Sequence, residues 1–339
     1  MHRYHTLKYL KNSKKTVEKF KLTDQRRNKA MPCSYVDQYT QQFSSRGTSK
    51  QQAATDYFSL LKTRQAMTDS EIQEYLLRIN HPDCTADIDG LTRVQKHHME
   101  YIPFENLDIV VGKKIRLDHL HLFRKIISNK RGGYCFELNT LYAELLKFIG
   151  FSPRPVLGRV WLSNPMRTPP RNHLAHLVDL DGKTYLTDVG FGGLVSRVPL
   201  DIHQSASVDD GDGMVRIVPF SSHQFMIQRQ TEKGWADQYS FENLLIGEED
   251  ITMANYYMST NSNSHFFYHK FVGRNTKTGR IGLFNNKMSI RNGTKVVNKI
   301  EVASGEDWLK TIKQEFGLEL DFTKKQLDIL FEKREKLSQ

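Results

Sequence analysis

Cysteine is scarce in this 339-residue chain, which contains only Cys33, Cys84 and Cys135. Three cysteines so far apart make no disulfide framework, and none belongs to a C-x-x-C pattern of the kind that binds zinc. Reduced thiols are typical of intracellular proteins. We therefore predict a cytoplasmic setting and a protein without a metal site.

Long apolar runs are also missing, since no stretch approaches the roughly 18 consecutive apolar residues that a membrane-spanning helix needs. The hydrophobic content of 38% is nevertheless sufficient for a globular protein with a sizeable core. We expect no membrane partner.

Acidic side chains are few in the first 66 residues, where 14 Lys and Arg face only four Asp and Glu. This leader holds +10 of the net charge of +11, so residues 67–339 are nearly neutral. A module that binds nucleic acid or an anionic membrane would need basic and aromatic residues clustered within the fold itself. The charge distribution argues against that class, and we predict no nucleic-acid partner.

The leader, residues 1–66, is polar and only weakly periodic, which predicts disorder. It lacks the apolar core of a signal peptide. Three explanations stay open: translation from an upstream start codon, an acid-poor transit peptide, or a basic arm for an anionic partner. We favour the first, because Met67 directly precedes a sequence typical of a capped helix, although Met31 is a second possible start.

The rest of the chain changes character near Gly150. Helical periodicity comes first, over about 69–79, 91–101, 118–128 and 136–149. Short strand-like runs follow and predict a barrel or sandwich, over 155–162, 173–180, 184–191, 224–230 and 235–240. The last part predicts strands near 266–273, 280–285 and 288–291, then helices at about 306–316 and 324–336.

An acidic stretch, Asp209-Asp210-Gly211-Asp212-Gly213, lies in the segment 203–213, which we interpret as a surface loop. Its spacing is not that of an EF-hand, so we predict no calcium site.

The stretch Arg131–Asn139 places Cys135 between a double glycine and the start of a predicted helix that Gly150 ends. Unpaired N–H groups and the helix dipole favour a thiolate at such a position. The alternative is a small buried side chain without a chemical role, because free cysteine is often buried.

Two strand-like runs flank Asp181-Gly182, a strong signal for a two-residue hairpin turn. With that turn, the numbers of facing residues add to 363, and His173 lies diagonally from Asp188 on the same face. His176 lies on the opposite face. Cys135, His173 and Asp188 therefore match the nucleophile, base and orienting carboxylate of thiol acyl chemistry. Backbone N–H groups, including that of Cys135, are expected to hold the oxyanion.

With these residues in view, the chain resembles the arylamine N-acetyltransferase family. The matching segments occur in family order across residues 67 to about 336: Arg131–Asn139, Pro103–Leu107, His173 with Asp188–Gly193, and Tyr257–Asn261 with Ser264 and Phe266. The chain departs from the family pattern at Asn172, where many members carry Thr, at Asn263, where bacterial members tend to have Pro, and in the leader.

The resemblance implies an α+β fold with a papain-like Cys-His-Asp triad. After the leader at 1–66, which has no family counterpart, the expected parts are a helical bundle with the cysteine at 67–150, a β-barrel with the histidine and aspartate at 151–258, and a linker with an α/β lid at 259–339. It also implies a structural ion pair between Arg78 and Glu105.

The activity implied by the resemblance is ping-pong transfer of an acetyl group from acetyl-CoA, through acetyl-Cys135, to an arylamine, arylhydrazine or N-hydroxyarylamine. Phe104, Phe191, Gly192 and Val160 are the implied substrate-binding residues. We expect a monomer or weak homo-oligomer whose partners are acetyl-CoA and the small-molecule acceptor. The rival hypothesis keeps the triad but assigns it to an amide synthase or a thiol hydrolase with another acyl donor.

Overall fold

The computed structural model describes residues 67–81, 84–162 and 165–332. The predictions made for the leader, residues 1–66, and for the end of the last helix lie outside this part of the chain.

The described chain begins with helices. The first, α1, starts in a capping box in which Thr68 and Glu71 exchange hydrogen bonds, so the capped helix expected after Met67 is present. The helices of this half are α1 (Asp69–Arg78), α2 (Ile88–Tyr101), α3 (Leu107–Val110), α4 (His119–Phe123) with a π-helical turn (Arg124–Ser128), and α5 (Cys135–Ile149). Gly150, at φ 113°, ends α5 in the left-handed conformation.

The second half of the fold begins with an eight-stranded antiparallel sheet. Its strands are β2 (Arg154–Val160), β3 (His173–Leu180), β4 (Lys183–Thr187), β5 (Leu200–Asp201), β6 (Val208–Asp209), β7 (Met214–Pro219), β8 (Gln224–Thr231) and β9 (Gly234–Glu242). Their spatial order is β5-β4-β3-β2-β9-β8-β7-β6, which gives a half-barrel.

The β3–β4 hairpin has the predicted turn. Asp181 and Gly182 have positive φ of 51° and 76°, as a type I′ turn requires. Leu180 pairs with Lys183 and His176 with Thr187, so the predicted register is confirmed. Helix α5 packs against β3, which brings Cys135 to this hairpin.

A five-stranded antiparallel sheet follows, in the order β1-β10-β11-β12-β13. Its strands are β1 (Phe104–Glu105), β10 (Phe271–Thr276), β11 (Gly279–Phe284), β12 (Lys287–Asn292) and β13 (Lys295–Glu301). The remaining helices are α6 (Glu248–Thr260), α7 (His265–Tyr268), α8 (Glu306–Phe316) and α9 (Lys324–Phe331). Because β1 comes from the helical half, the sheet ties the two ends of the described chain together.

Two hydrophobic cores hold the described helices and sheets together. The larger one joins α1, α2 and α5 to the eight-stranded sheet, around residues such as Tyr75, Leu141 and Val178. The smaller one lies between the five-stranded sheet and the C-terminal helices, around Trp308, Ile312 and Leu283. No helix among the described residues is long and apolar enough to cross a membrane.

The α+β class is confirmed, whereas the predicted boundaries at 150/151 and 258/259 stay predictions. Strand β4 ends at Thr187 rather than 191, and the predicted strand near 266 begins instead as helix α7. Helix α6 and strand β13 were not predicted. Helix α6 buries only Asn255 and Met258, so its sequence has weak apolar periodicity and gave no clear helical pattern.

The prediction of a surface loop at 203–213 is wrong for Asp210 and Asp212, which are only 3% and 2% exposed. Gly211 and Gly213, both at positive φ, allow the turn that directs the two carboxylates inward. Buried arginines balance their charge, with Arg229 on Asp210 and Arg280 on Asp212.

Candidate active site

Cys135 is the first residue of α5 and is buried, with 3% of its surface exposed. The turn before it is fixed by Glu137, whose carboxylate accepts the Tyr134 N–H at 3.1 Å. The double glycine is required by close packing rather than by positive φ. A Cβ at Gly132 would lie 2.1 Å from the Pro103 carbonyl oxygen, and one at Gly133 would lie 2.8 Å from Glu137 Cβ.

His173, the first residue of β3, is oriented by Asp188, which follows β4. Its Nε2 lies 2.7 Å from Asp188 Oδ2, as the diagonal relation in the predicted hairpin requires. The Cys135 thiol lies at the other side of this pair: its Sγ donates to the carbonyl of Asn172, the residue before His173, at 3.9 Å, and its interaction with the imidazole helps to raise the pKa of His173. Since Nε2 is occupied by Asp188, Nδ1 is the ring nitrogen available to the sulfur. The structure therefore brings Cys135, His173 and Asp188 into one chain of contacts.

The Asp188 carboxylate has four hydrogen-bond donors around it. Oδ1 accepts from Asn139 Nδ2 and from the Gly190 N–H, each at 2.9 Å. Oδ2 accepts from the Tyr239 hydroxyl at 2.9 Å in addition to His173. Donors on every side fix the rotamer of this buried carboxylate and stabilise its charge.

Asn139 and Tyr239 were missed at the sequence level. Asn139 could have been found, because it lies four residues after Cys135 and therefore on the same face of α5. It holds the hairpin as well, since it donates to the Leu174 carbonyl at 2.6 Å and accepts the Val189 N–H. Tyr239 lies on β9, and its distance along the chain gave no local signal.

Burial and charge shift the pKa values of His173 and Asp188 in opposite directions. Burial disfavours the imidazolium, but the Asp188 carboxylate outweighs it and raises the pKa of His173 to about 10. Burial also disfavours the Asp188 carboxylate, but His173, Asn139 and the Gly190 N–H lower the pKa of Asp188 below its usual range. At neutral pH the pair is an imidazolium beside a carboxylate.

A cleft of about 240 Å³ lies next to Phe191, although none of Cys135, His173 and Asp188 lines it. Three of the predicted substrate residues line it: Phe191 and Gly192 lie on one wall, and Phe104 of β1 lies on the other wall, which is the five-stranded sheet. The Phe191 ring packs 5.1 Å from the His173 ring, so it connects the cleft to the histidine. Val160 is not among the lining residues. It ends β2 and donates its N–H to Asn172, the neighbour of His173.

A cluster of buried charges lies under the cysteine turn. Arg131 binds Glu105 at 2.8 Å and Asp108 at 3.0 Å, and Lys125 binds Asp108 at 2.9 Å and Glu137 at 2.8 Å. These contacts differ from the ion pair between Arg78 and Glu105 that the family resemblance implies.

The expected pair of Arg78 with Glu105 is not formed. The Arg78 guanidinium donates instead to the Tyr101 carbonyl at 2.6 Å, and Glu105 pairs with Arg131. Within residues 67–332 as described, no group of three or more His, Cys, Asp or Glu is placed to hold a metal ion.

Chemically, the arrangement joins a thiol to a base and an orienting carboxylate, and the first turn of α5 adds backbone N–H groups that have no acceptor within the helix. A thiol activated in this way attacks carbonyl carbon, and the N–H groups can stabilise the oxyanion that forms. The site therefore suits acyl transfer.

Comparison with known proteins agrees with this chemistry. The profile of the N-acetyltransferase family matches residues 87–326. The chain is 32% identical over 251 residues to the arylamine N-acetyltransferase / N-hydroxyarylamine O-acetyltransferase of Salmonella typhimurium, covering 74% of this chain and 89% of the relative.

Solved structures also resemble this fold. The arylamine N-acetyltransferase from Salmonella typhimurium superposes with a TM-score of 0.73 at 30% identity, over 78% of this chain and 98% of that one. The Mycobacterium marinum arylamine N-acetyltransferase, solved in complex with CoA, gives a TM-score of 0.70 at 26% identity, over 77% and 95% of the two chains.

Proposed function

This chain belongs to the arylamine N-acetyltransferase family, and from that premise we propose that Cys135, His173 and Asp188 are its papain-like catalytic triad. The chain is an acyltransferase. We propose that it moves acetyl groups from acetyl-CoA to arylamines, arylhydrazines or N-hydroxyarylamines. The observation that carries the assignment is the buried His173–Asp188 hydrogen bond together with the position of Cys135 at the start of α5, where its thiol donates to the carbonyl of Asn172, the neighbour of His173.

Before the first half-reaction His173 already holds the proton of the Cys135 thiol, and Asp188 stabilises this imidazolium beside the thiolate. The thiolate attacks the carbonyl carbon of the acetyl thioester, and N–H groups at the start of α5 hold the oxyanion. The bond between the acetyl carbon and the CoA sulfur then breaks. That sulfur leaves with the proton from His173, and Cys135 keeps the acetyl group.

In the second half-reaction neutral His173 accepts a proton from the amine as its nitrogen attacks acetyl-Cys135. The carbon–sulfur bond to Cys135 breaks, the acetylated amine leaves, and the thiolate–imidazolium pair is restored. We propose that Phe104, Phe191 and Gly192 contact the acceptor ring, while the five-stranded sheet and helices α8 and α9 act as a lid.

The lining of the cleft suits these substrates. It includes the aromatic rings of Phe104 and Phe191 and the side chains of Arg274 and Arg291, but no Asp or Glu. Aromatic side chains favour a flat arylamine through offset or edge-to-face packing. Arginine favours the phosphates of a CoA thioester.

Steady-state kinetics test the proposal and separate it from its rivals. Initial rates over a grid of acetyl-CoA and 4-aminobenzoate concentrations should give parallel double-reciprocal lines, because CoA leaves before the amine binds. Intersecting lines would contradict the acetyl-enzyme route. Release of CoA at an equal rate with and without amine would assign the triad to a thiol hydrolase.

A further inference from the structure

Beyond Phe191 the chain turns through Gly192 and then follows a short irregular path to Val195. In this path the backbone carbonyls of Gly193, Leu194 and Val195 all accept hydrogen bonds from buried arginine side chains. Three consecutive carbonyls held by side chains are unusual, because a segment outside regular structure is ordinarily satisfied by water or by turns.

Arg229, on β8, is fully buried and uses all five of its N–H donors. Nε donates to the Leu194 carbonyl at 3.2 Å, and Nη2 donates to the Val195 carbonyl at 2.9 Å. The other donors bind the Asp210 carboxylate through both oxygens and the Gly213 carbonyl. The guanidinium is a planar fork, so these bonds fix the segment in two directions.

Arg280, on β11, holds the same segment from the opposite wall of the cleft. Nη1 donates to the Gly193 carbonyl at 2.7 Å, and Nη2 donates to the Val195 carbonyl at 2.6 Å. Its Nε binds Asp212 at 2.8 Å. Arg280 therefore joins the five-stranded sheet to the segment that follows Phe191.

The position of Gly193 determines the position of the Phe191 ring. A Cβ on Gly193 would lie 2.4 Å from Cε1 of that ring, so the ring rests directly on the glycine backbone. The same ring lies 5.1 Å from the rings of His173 and Tyr239. A shift at the Gly193 carbonyl would thus be passed to the aromatic wall of the cleft.

We propose that Arg280, with Arg229, Asp210 and Asp212, forms an arginine cluster that positions Phe191 and thereby sets how well the cleft accepts an aromatic acceptor. Arg280, Arg229, Asp210 and Asp212 are positioning residues, since they act through the Gly193 and Val195 carbonyls. The inference rests on the proposed function for its substrate class.

The decisive variant is Arg280→Lys, which keeps the charge but cannot span both carbonyls and Asp212 as a fixed fork. Acetylation of Cys135 by acetyl-CoA without acceptor should stay within about twofold of the parent rate. Discharge of acetyl-Cys135 by 4-aminobenzoate should require about tenfold more amine for half-maximal rate, since a small misplacement of a positioning group weakens productive binding. Arg216→Lys is the matched control, a half-buried strand arginine that packs over Trp235.

Gly193→Ala gives an independent test, because it moves the Phe191 ring without touching an arginine. It should reproduce the discharge defect. Equal slowing of both half-reactions in Arg280→Lys, or unchanged discharge in folded Gly193→Ala, would overturn the proposal.

A readout that needs no activity completes the test. In protein labelled with ¹⁵N-glycine, the amide signals of Gly192 and Gly193, assigned by single substitution, should move in Arg280→Lys and stay in place in Arg216→Lys. If the Gly192 and Gly193 signals do not move in Arg280→Lys, the proposal that the arginine cluster positions this segment is overturned, whatever the kinetic results. If the parent protein takes no acetyl group, the proposed function is refuted. The spectra would still show whether Arg280 holds the segment from Gly193 to Val195 in place.

Discussion

At the scale of single residues, Asp188 is the centre of the site, because His173, Asn139, Tyr239 and a backbone N–H all donate to it. Asp188→Asn should lower kcat/KM about 10³- to 10⁴-fold, since the imidazole loses its orienting charge. Transfer assays with purified protein measure this. Asp179→Asn, an exposed site in the same hairpin, is the control and should retain activity. A loss below about tenfold in Asp188→Asn would refute the assigned role.

The protonation of His173 makes folding stability depend on pH. Its folded pKa of about 10 lies above the usual value of 6.5, so the folded state binds the extra proton between these values. The stabilisation is fully present below about pH 6.5 and is lost as pH rises through about 10. The difference in free energy of unfolding between the parent and His173→Asn should therefore shrink from pH 6.5 to 10.

Urea unfolding at several pH values measures this difference. A parent advantage over His173→Asn that grows with pH would contradict the protonated state.

At the scale of elements, local rules were sufficient where the sequence sets its own geometry. The Asp181-Gly182 turn defined the register of β3 and β4, and Gly150 defined the end of α5. Local rules failed where a residue or strand far away in the sequence determines the structure. The short strand β1 exists because it pairs with β10, and Asp210 is buried because Arg229 lies opposite it. Neither partner is visible in a local window.

The turn before Cys135 depends on buried charges. Lys125→Met should lower the free energy of unfolding by about 3–5 kcal/mol, because it leaves Asp108 and Glu137 without their shared ammonium. Lys147→Met removes an exposed lysine paired with Glu144 and should cost less than about 1 kcal/mol. Denaturant unfolding compares the two variants. Equal losses in the free energy of unfolding would show that the buried charge cluster stabilises the fold no more than an exposed ion pair does.

At the scale of the whole molecule, the sequence pointed to the residues of the proposed triad but not to the cleft. The triad residues lie in two local motifs whose geometry the hairpin and the helix start determine. The cleft needs Phe191 and the distant strand β11 to face each other, and only the three-dimensional fold brings them together. Val160 was predicted beside it by resemblance alone, and it does not line the cleft.

The leader provides a test at this scale. The family match covers residues 87–326, and every residue of the proposed site lies after Met67. A chain that starts at Met67 should therefore keep its transfer rate within about twofold and its melting temperature, because Met67 and the Thr68 cap are retained. A large loss of activity on truncation would favour a functional arm over an upstream start.

The most direct measurement is the intact mass of the protein after brief exposure to acetyl-CoA without acceptor, for the parent, Cys135→Ser and His173→Ala. One acetyl group should be added to the parent, be absent from both variants, and disappear when 4-aminobenzoate is added. No adduct on folded parent protein would contradict acetyl transfer through Cys135. An adduct on His173→Ala would contradict His173 as the base.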